Sequence, residues 1–141
     1  MTDYLLQRDG SCCTIFALAN ALRFWGRPSP EPGMDEWERL IDIARCRNGS
    51  TIDQDGVAEA LGLRLEKIPV EDLASHLPYF LTVLNPCRGM TLHAALVIGV
   101  EADGFRMVNY RTNTGPVVEV ARPEMCDPGN QNRRGWAIHL L

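Results

Sequence analysis

The chain has 141 residues, 45% of them hydrophobic and 23% charged, with a formal net charge of -4. That is the size of a single domain, here 1–141, with enough apolar residues for a core, and the small acidic balance argues against nucleic acid as a partner. The longest apolar run, Ala94 to Val100, falls far short of the roughly 20 residues a membrane helix needs, so no membrane segment of its own is expected.

The first half reads as helices. Cys13 to Trp25 gathers Ile15, Phe16, Leu18, Ala19, Leu22 and Trp25 on the helical period, with Gly26 and Pro28 ending it. Pro28 to Gly33 is a rigid loop. Asp35 to Cys46 repeats the pattern with Trp37, Leu40, Ile41 and Ile43. Gln54 to Leu61 is a third helix, closed by Gly62, with Ser50, Thr51 and Asp53 as candidate N-caps. Val70 to Leu77, between Pro69 and Pro78, reads as a short fourth helix.

The second half reads as strands: Leu63 to Ile68, Tyr79 to Leu84, Leu92 to Glu101, Phe105 to Tyr110, Val117 to Ala121 and Trp136 to Leu140. Ala102-Asp103-Gly104 is a hairpin turn between the third and fourth of these. Helices followed by an antiparallel sheet make an α+β domain.

The five cysteines are Cys12, Cys13, Cys46, Cys87 and Cys126. Their number is odd, two are adjacent, and no pair has C-x-x-C spacing. They are therefore expected to be thiols, without a disulfide framework or a metal site. No basic start followed by an apolar stretch marks a secretory signal, so the chain as written reads as cytoplasmic, with export by a specialised system as the alternative.

A cysteine nucleophile needs an activated thiol, a base, a group that orients the base, and oxyanion donors. Cys13 falls at the start of the first helix, where the dipole favours thiolate. The turn-like Asp9-Gly10-Ser11-Cys12 lets the chain enter that helix sharply, with the Cys13 amide as one oxyanion donor. Gln7, six residues earlier, is placed to supply the second. His93 opens the most apolar strand, whose partial burial favours a neutral imidazole. Asn109 lies on the following strand, and the hairpin brings it back beside His93, where its side chain can accept the ring N–H.

Gln7-Arg8-Asp9-Gly10-Ser11-Cys12-Cys13-Thr14-Ile15-Phe16 resembles the nucleophile segment of papain-like cysteine peptidases, and His93-Ala94-Ala95 through Val108-Asn109 resembles their His…Asn hairpin. Gly49-Ser50-Thr51-Ile52, the helix ending Glu59-Ala60-Leu61-Gly62-Leu63, and Pro78 to Leu84 are similar to the bacterial C39-type and C39-like peptidases. The likeness spans most of residues 4 to 110. Where C39-type enzymes have Asp-Cys-Gly and a third-member Asp, this chain has Cys12-Cys13-Thr14 and Asn109.

The resemblance implies a papain-like fold, N-terminal helices packed on an antiparallel sheet with the site between them. It implies a thiol peptidase with Cys13 as nucleophile, His93 as base, Asn109 as orienting group and Gln7 in the oxyanion hole. No metal or organic cofactor is needed. The expected partner is a peptide or protein substrate, with a larger protein or a secretion or transport system as a further partner. The same residues would serve a deamidase, transglutaminase or amidase, and a non-catalytic peptide-binding module is the rival reading.

The remaining candidates have blander readings. Cys12 competes as nucleophile but is one residue closer to Gln7 and turned about 100° around a helix, so packing or turn-making is expected of it. His76 and His139 read as structural or exposed, Asp103 as a turn residue, Arg133-Arg134 as solvated surface and Asn48-Gly49-Ser50 as a bend. Trp25, Trp37 and Trp136 read as core.

Overall fold

The first helix, α1 (Cys13–Phe24), buries every residue from Thr14 to Leu22, so apolar contact surrounds it rather than lining one face. The computed structural model describes residues 3–7, 12–46, 53–85, 91–110, 117–121 and 134–141. Gly26, at φ 71°, closes α1, with Gly26 N–H on the Arg23 carbonyl and Arg27 N–H on the Leu22 carbonyl. That pair of bonds is a Schellman ending, and glycine supplies the left-handed residue it requires.

Two further helices cover α1. In α2 (Asp35–Ala44), Trp37, Leu40 and Ala44 are buried at helical spacing while the acidic first turn suits the helix dipole. Phe16 of α1 meets Trp37 edge to face with ring centroids 4.8 Å apart. In α3 (Gln54–Ala60), Asp53 is the N-cap, accepting from Gly56 N–H at 2.9 Å. The other candidate caps, Ser50 and Thr51, lie outside the described residues. The short helix expected over Val70 to Leu77 forms over Val70–Ser75 and is of the 3-10 type. Six residues ahead of a proline leave little room for i→i−4 bonding.

The strands are β1 (Leu63–Lys67), β2 (Tyr79–Asn85), β3 (Thr91–Glu101), β4 (Gly104–Val108), β5 (Val117–Ala121) and β6 (Arg134–Leu140). They form one antiparallel sheet in the order β1-β6-β2-β3-β4-β5, and the last strand lies between β1 and β2. The fold is therefore α+β, three helices on an antiparallel sheet. Strand alternation divides the core. Phe80, Ala94 and Leu96 join the helices in one cluster, while Tyr79, Leu81, Ala95 and Val97 join Leu73, Met107 and Tyr110 in the other. The β3–β4 hairpin forms as expected, but a bulge between Val97 and Gly99 interrupts its register. Trp37 is a core residue; Trp25 and Trp136 are half-buried against the same cluster. No helix among the described residues is long and apolar enough to cross a membrane.

Cys12 and Cys46 form a disulfide, their Cα atoms 5.3 Å apart. This corrects the expectation that all the cysteines are thiols. The pair is 34 residues apart in sequence, and its proximity arises only once α1 and α2 pack together. Cys87 and Cys126 lie outside the described residues.

One tyrosine ties the strand ends. Tyr79 is fully buried, and its Oη–H donates to the Ile68 carbonyl at 2.6 Å. Ile68 N–H in turn donates to the Gly135 carbonyl at 3.1 Å. The tyrosine lies across Gly135, where a Cβ would overlap its hydroxyl and ring carbons. Burial, and then the Glu71 and Asp72 carboxylates, push the phenol well above its usual value. Below about pH 10 the folded and unfolded chains both hold this proton; above it only the unfolded chain releases it, so stability falls with rising pH. Tyr79→Phe is expected to cost about 1 kcal/mol at neutral pH and to flatten that alkaline loss. Gly135→Ala is expected to cost about 1–3 kcal/mol by overpacking. Urea unfolding as a function of pH measures both, and a wild-type midpoint for Gly135→Ala would refute the close approach.

Candidate active site

Cys13 is the first residue of α1 and is half-buried. Before it, Cys12 takes a left-handed conformation at φ 59°, and its carbonyl accepts from Ile15 and Phe16 N–H at 3.0 and 3.3 Å. The disulfide to Cys46 pins this turn residue from the side. Cys13 Sγ accepts a hydrogen bond from Ala94 N–H at 3.4 Å. The helix dipole and this amide both set positive potential at the sulfur. The small side chains of Ala17 in α1 and Ala94 in β3, both in the helix-side cluster, suit so close an approach of helix and sheet.

His93 directly precedes that amide in β3 and is 2% exposed. Its Nε2 lies 2.6 Å from the carbonyl oxygen of Asn109. A carbonyl oxygen can only accept, so Nε2 carries the hydrogen. In a neutral ring, Nδ1 is then the proton acceptor.

Asn109 corrects the sequence reading in two ways. It lies past the end of β4 in a left-handed conformation, φ 61°, rather than on the strand. It holds the imidazole through its backbone carbonyl, not its side chain. The Asn109 side chain binds the N-terminal segment instead: Oδ1 accepts from Gln7 N–H at 3.0 Å and Nδ2 donates to the Leu5 carbonyl at 2.8 Å. The left-handed turn is what separates the two directions. Asparagine is among the few L-residues that adopt it readily.

Gln7 is fully buried on this segment. The segment is also gripped by Asn20 of α1, a residue the sequence reading passed over. Asn20 Oδ1 accepts from Leu5 N–H at 2.7 Å, and Asn20 Nδ2 donates to the Leu5 carbonyl at 3.1 Å. An asparagine in the middle of an otherwise apolar helix was the available signal. Cys13, His93, Asn109 and Gln7 thus share one network, in which Ala94 links the first two and Asn109 the last two.

The other candidates lie elsewhere. The Cys12 sulfur is in the disulfide and offers no thiol for attack. His76 is half-buried after the 3-10 helix, and His139 pairs with Glu66 at 2.9 Å on an exposed part of β6. Asp103 sits in the β3–β4 turn and Arg134 is exposed at the start of β6. Arg133, Asn48-Gly49-Ser50 and the Asp9-Gly10-Ser11 turn lie outside the described residues. Surface clefts of about 640 Å³ beside Arg23 and Ser29, and about 440 Å³ beside Lys67 and Arg134, border neither Cys13 nor His93. Among the described residues, no three His, Cys, Asp or Glu side chains are grouped to hold a metal ion.

No protein-family model matches the chain, and comparison with curated proteins finds no match. The functional reading rests on the residues themselves.

Asn109→Gly separates the two tasks of that residue, because glycine keeps the carbonyl and tolerates the left-handed backbone. The Gln7 amide is expected to exchange its hydrogen at least about tenfold faster, reflecting loss of a hydrogen bond worth about 1.4 kcal/mol. Alkylation of Cys13 should change far less. Equal loss of both would show that the side chain, not the carbonyl, governs His93.

Proposed function

We propose that this chain is a papain-like cysteine hydrolase whose nucleophile is Cys13 and whose base is His93. The observation that carries the reading is the Nε2–H to Asn109 carbonyl bond. It selects the tautomer in which Nδ1 carries no proton and acts as the acceptor, on the residue whose next amide donates to the Cys13 sulfur.

In this mechanism Nδ1 takes the thiol proton and the sulfur attacks a carbonyl carbon. The carbonyl π electrons move to oxygen, and the Gln7 amide and the Cys13 N–H stabilise the oxyanion. Collapse expels the amine, which receives the proton held on Nδ1, and leaves an acyl-thioenzyme. Water, deprotonated by the same nitrogen, then releases the acid. The substrate class is a peptide or amide. Deamidation or acyl transfer to an amine would use the same intermediate with a different donor or acceptor.

The test is alkylation by iodoacetamide from pH 4 to 9, mapped by mass spectrometry on the wild type and His93→Ala. The expected result is rapid labelling at Cys13, persisting well below the ordinary thiol pKa of about 8.5 and slowed about 100-fold or more without the imidazole. Slow labelling that ignores His93 would remove the nucleophile assignment and leave a binding module without catalysis.

A further inference from the structure

We infer that Asn20 is a positioning residue for the oxyanion hole, acting on Gln7 through the backbone of Leu5. The inference rests on the hydrolase reading above and adds to it a residue outside the Cys–His–Asn set.

Asn20 stands seven residues after Cys13, two helical turns on, and therefore on the same face of α1. Its side chain is fully buried. It makes both bonds that a neighbouring strand would make to Leu5, accepting from the N–H at 2.7 Å and donating to the carbonyl at 3.1 Å. From the opposite side, Asn109 donates to the same carbonyl at 2.8 Å and accepts from Gln7 N–H at 3.0 Å. Residues 5–7 have no place in the sheet. Two buried amides do for them what a strand ladder would do.

One consequence is geometric. The helix that presents the sulfur at its first turn also fixes, two turns later, the segment that carries Gln7. On the helix side, the separation between nucleophile and oxyanion donor is then set by α1 and the Asn20 side chain, with Asn109 holding the segment from the sheet. A misplacement of about 1 Å at such a site can cost about 100-fold in rate.

Two reagents read this role without knowledge of the natural substrate. Iodoacetamide alkylates the sulfur by displacing iodide and develops no carbonyl oxyanion. p-Nitrophenyl acetate acylates the sulfur through a tetrahedral oxyanion that expels p-nitrophenolate and leaves an acetyl-thioenzyme. The ratio of acylation to alkylation rates therefore isolates the oxyanion hole from the Cys13–His93 pair. Gln7→Ala is expected to lower this ratio by about 100-fold or more. Asn20→Ala should lower it by about tenfold or more with its alkylation rate close to wild type. The double variant should be no worse than Gln7→Ala alone, because Asn20 acts only through Gln7. If Asn20→Ala fails to fold, Asn20→Ser, which keeps one hydroxyl at the site, is measured in its place against the same expectation.

A ratio unchanged in the Asn20 variant overturns the inference. So does an equal fall in both rates, which marks a merely structural residue, or full additivity with Gln7→Ala. A wild-type Cys13 that reacts with neither reagent overturns the hydrolase reading together with it.

Discussion

At the end of β4 the backbone turns left-handed at Asn109, and the peptide that results faces two ways. Its carbonyl receives the His93 ring N–H, and its side-chain amide receives the chain segment that carries Gln7. An extended residue there would carry β4 onward beside β3 and leave both groups to find other partners. Asparagine adopts the conformation at little cost among L-residues and brings a donor and an acceptor with it. The proposed base and the proposed oxyanion donor are therefore held by one residue from the sheet side, while α1 positions the sulfur.

Burial gives this arrangement its rigidity. The buried polar residues among those described are Gln7, Thr14, Asn20, His93 and Asn109, and all but Thr14 belong to the one network. A buried amide or imidazole left without a partner costs about 1–3 kcal/mol, and the side chains of Asn20, His93 and Asn109 meet that cost with bonds to backbone groups, Gln7 joining through its backbone N–H. The same free energy would be cheaper to obtain from apolar side chains, as α1 shows along the rest of its length. Keeping four polar side chains in that setting is a departure from core packing of the kind expected at functional sites.

Much of the architecture was legible from periodicity. The two longer helices, α3 with its Asp53 cap, the hairpin at Ala102 and Asp103, and the six strands all lie close to their expected bounds. What was not legible depended on tertiary structure. Hydrophobic spacing in α1 suggests one apolar face, yet the helix is enclosed, because small residues such as Ala17, Ala19 and Ala21 carry little periodic signal and still allow close packing. The Val97–Gly99 bulge shifts the hairpin register, and the left-handed Asn109 presents its carbonyl to His93; neither follows from residue spacing. The Cys12–Cys46 pair was hidden by an odd cysteine count and a wide separation. Asn20 read as one polar residue in an apolar helix, and only its bonds to Leu5 give it meaning.

The non-glycine residues with positive φ among those described are Cys12, Arg45 and Asn109, and all three bear on the same site. Cys12 immediately precedes Cys13. Arg45 ends α2 and immediately precedes Cys46, the disulfide partner of Cys12. A left-handed L-residue costs about 1–2 kcal/mol, and such residues persist where the surrounding structure over-determines them. Here the disulfide closes a chain segment whose ends are 34 residues apart, which on the loop-entropy account stabilises the fold by about 3–4 kcal/mol. That is of the order needed to offset both left-handed turns at its ends. The turn that delivers Cys13 into its helix is thereby held by a covalent bond on the α2 side and by Ala94 of β3 on the other. With the sulfur fixed in this way, the hydrogen bonds of Asn109 and Asn20 have only the orientation of His93 and Gln7 left to determine.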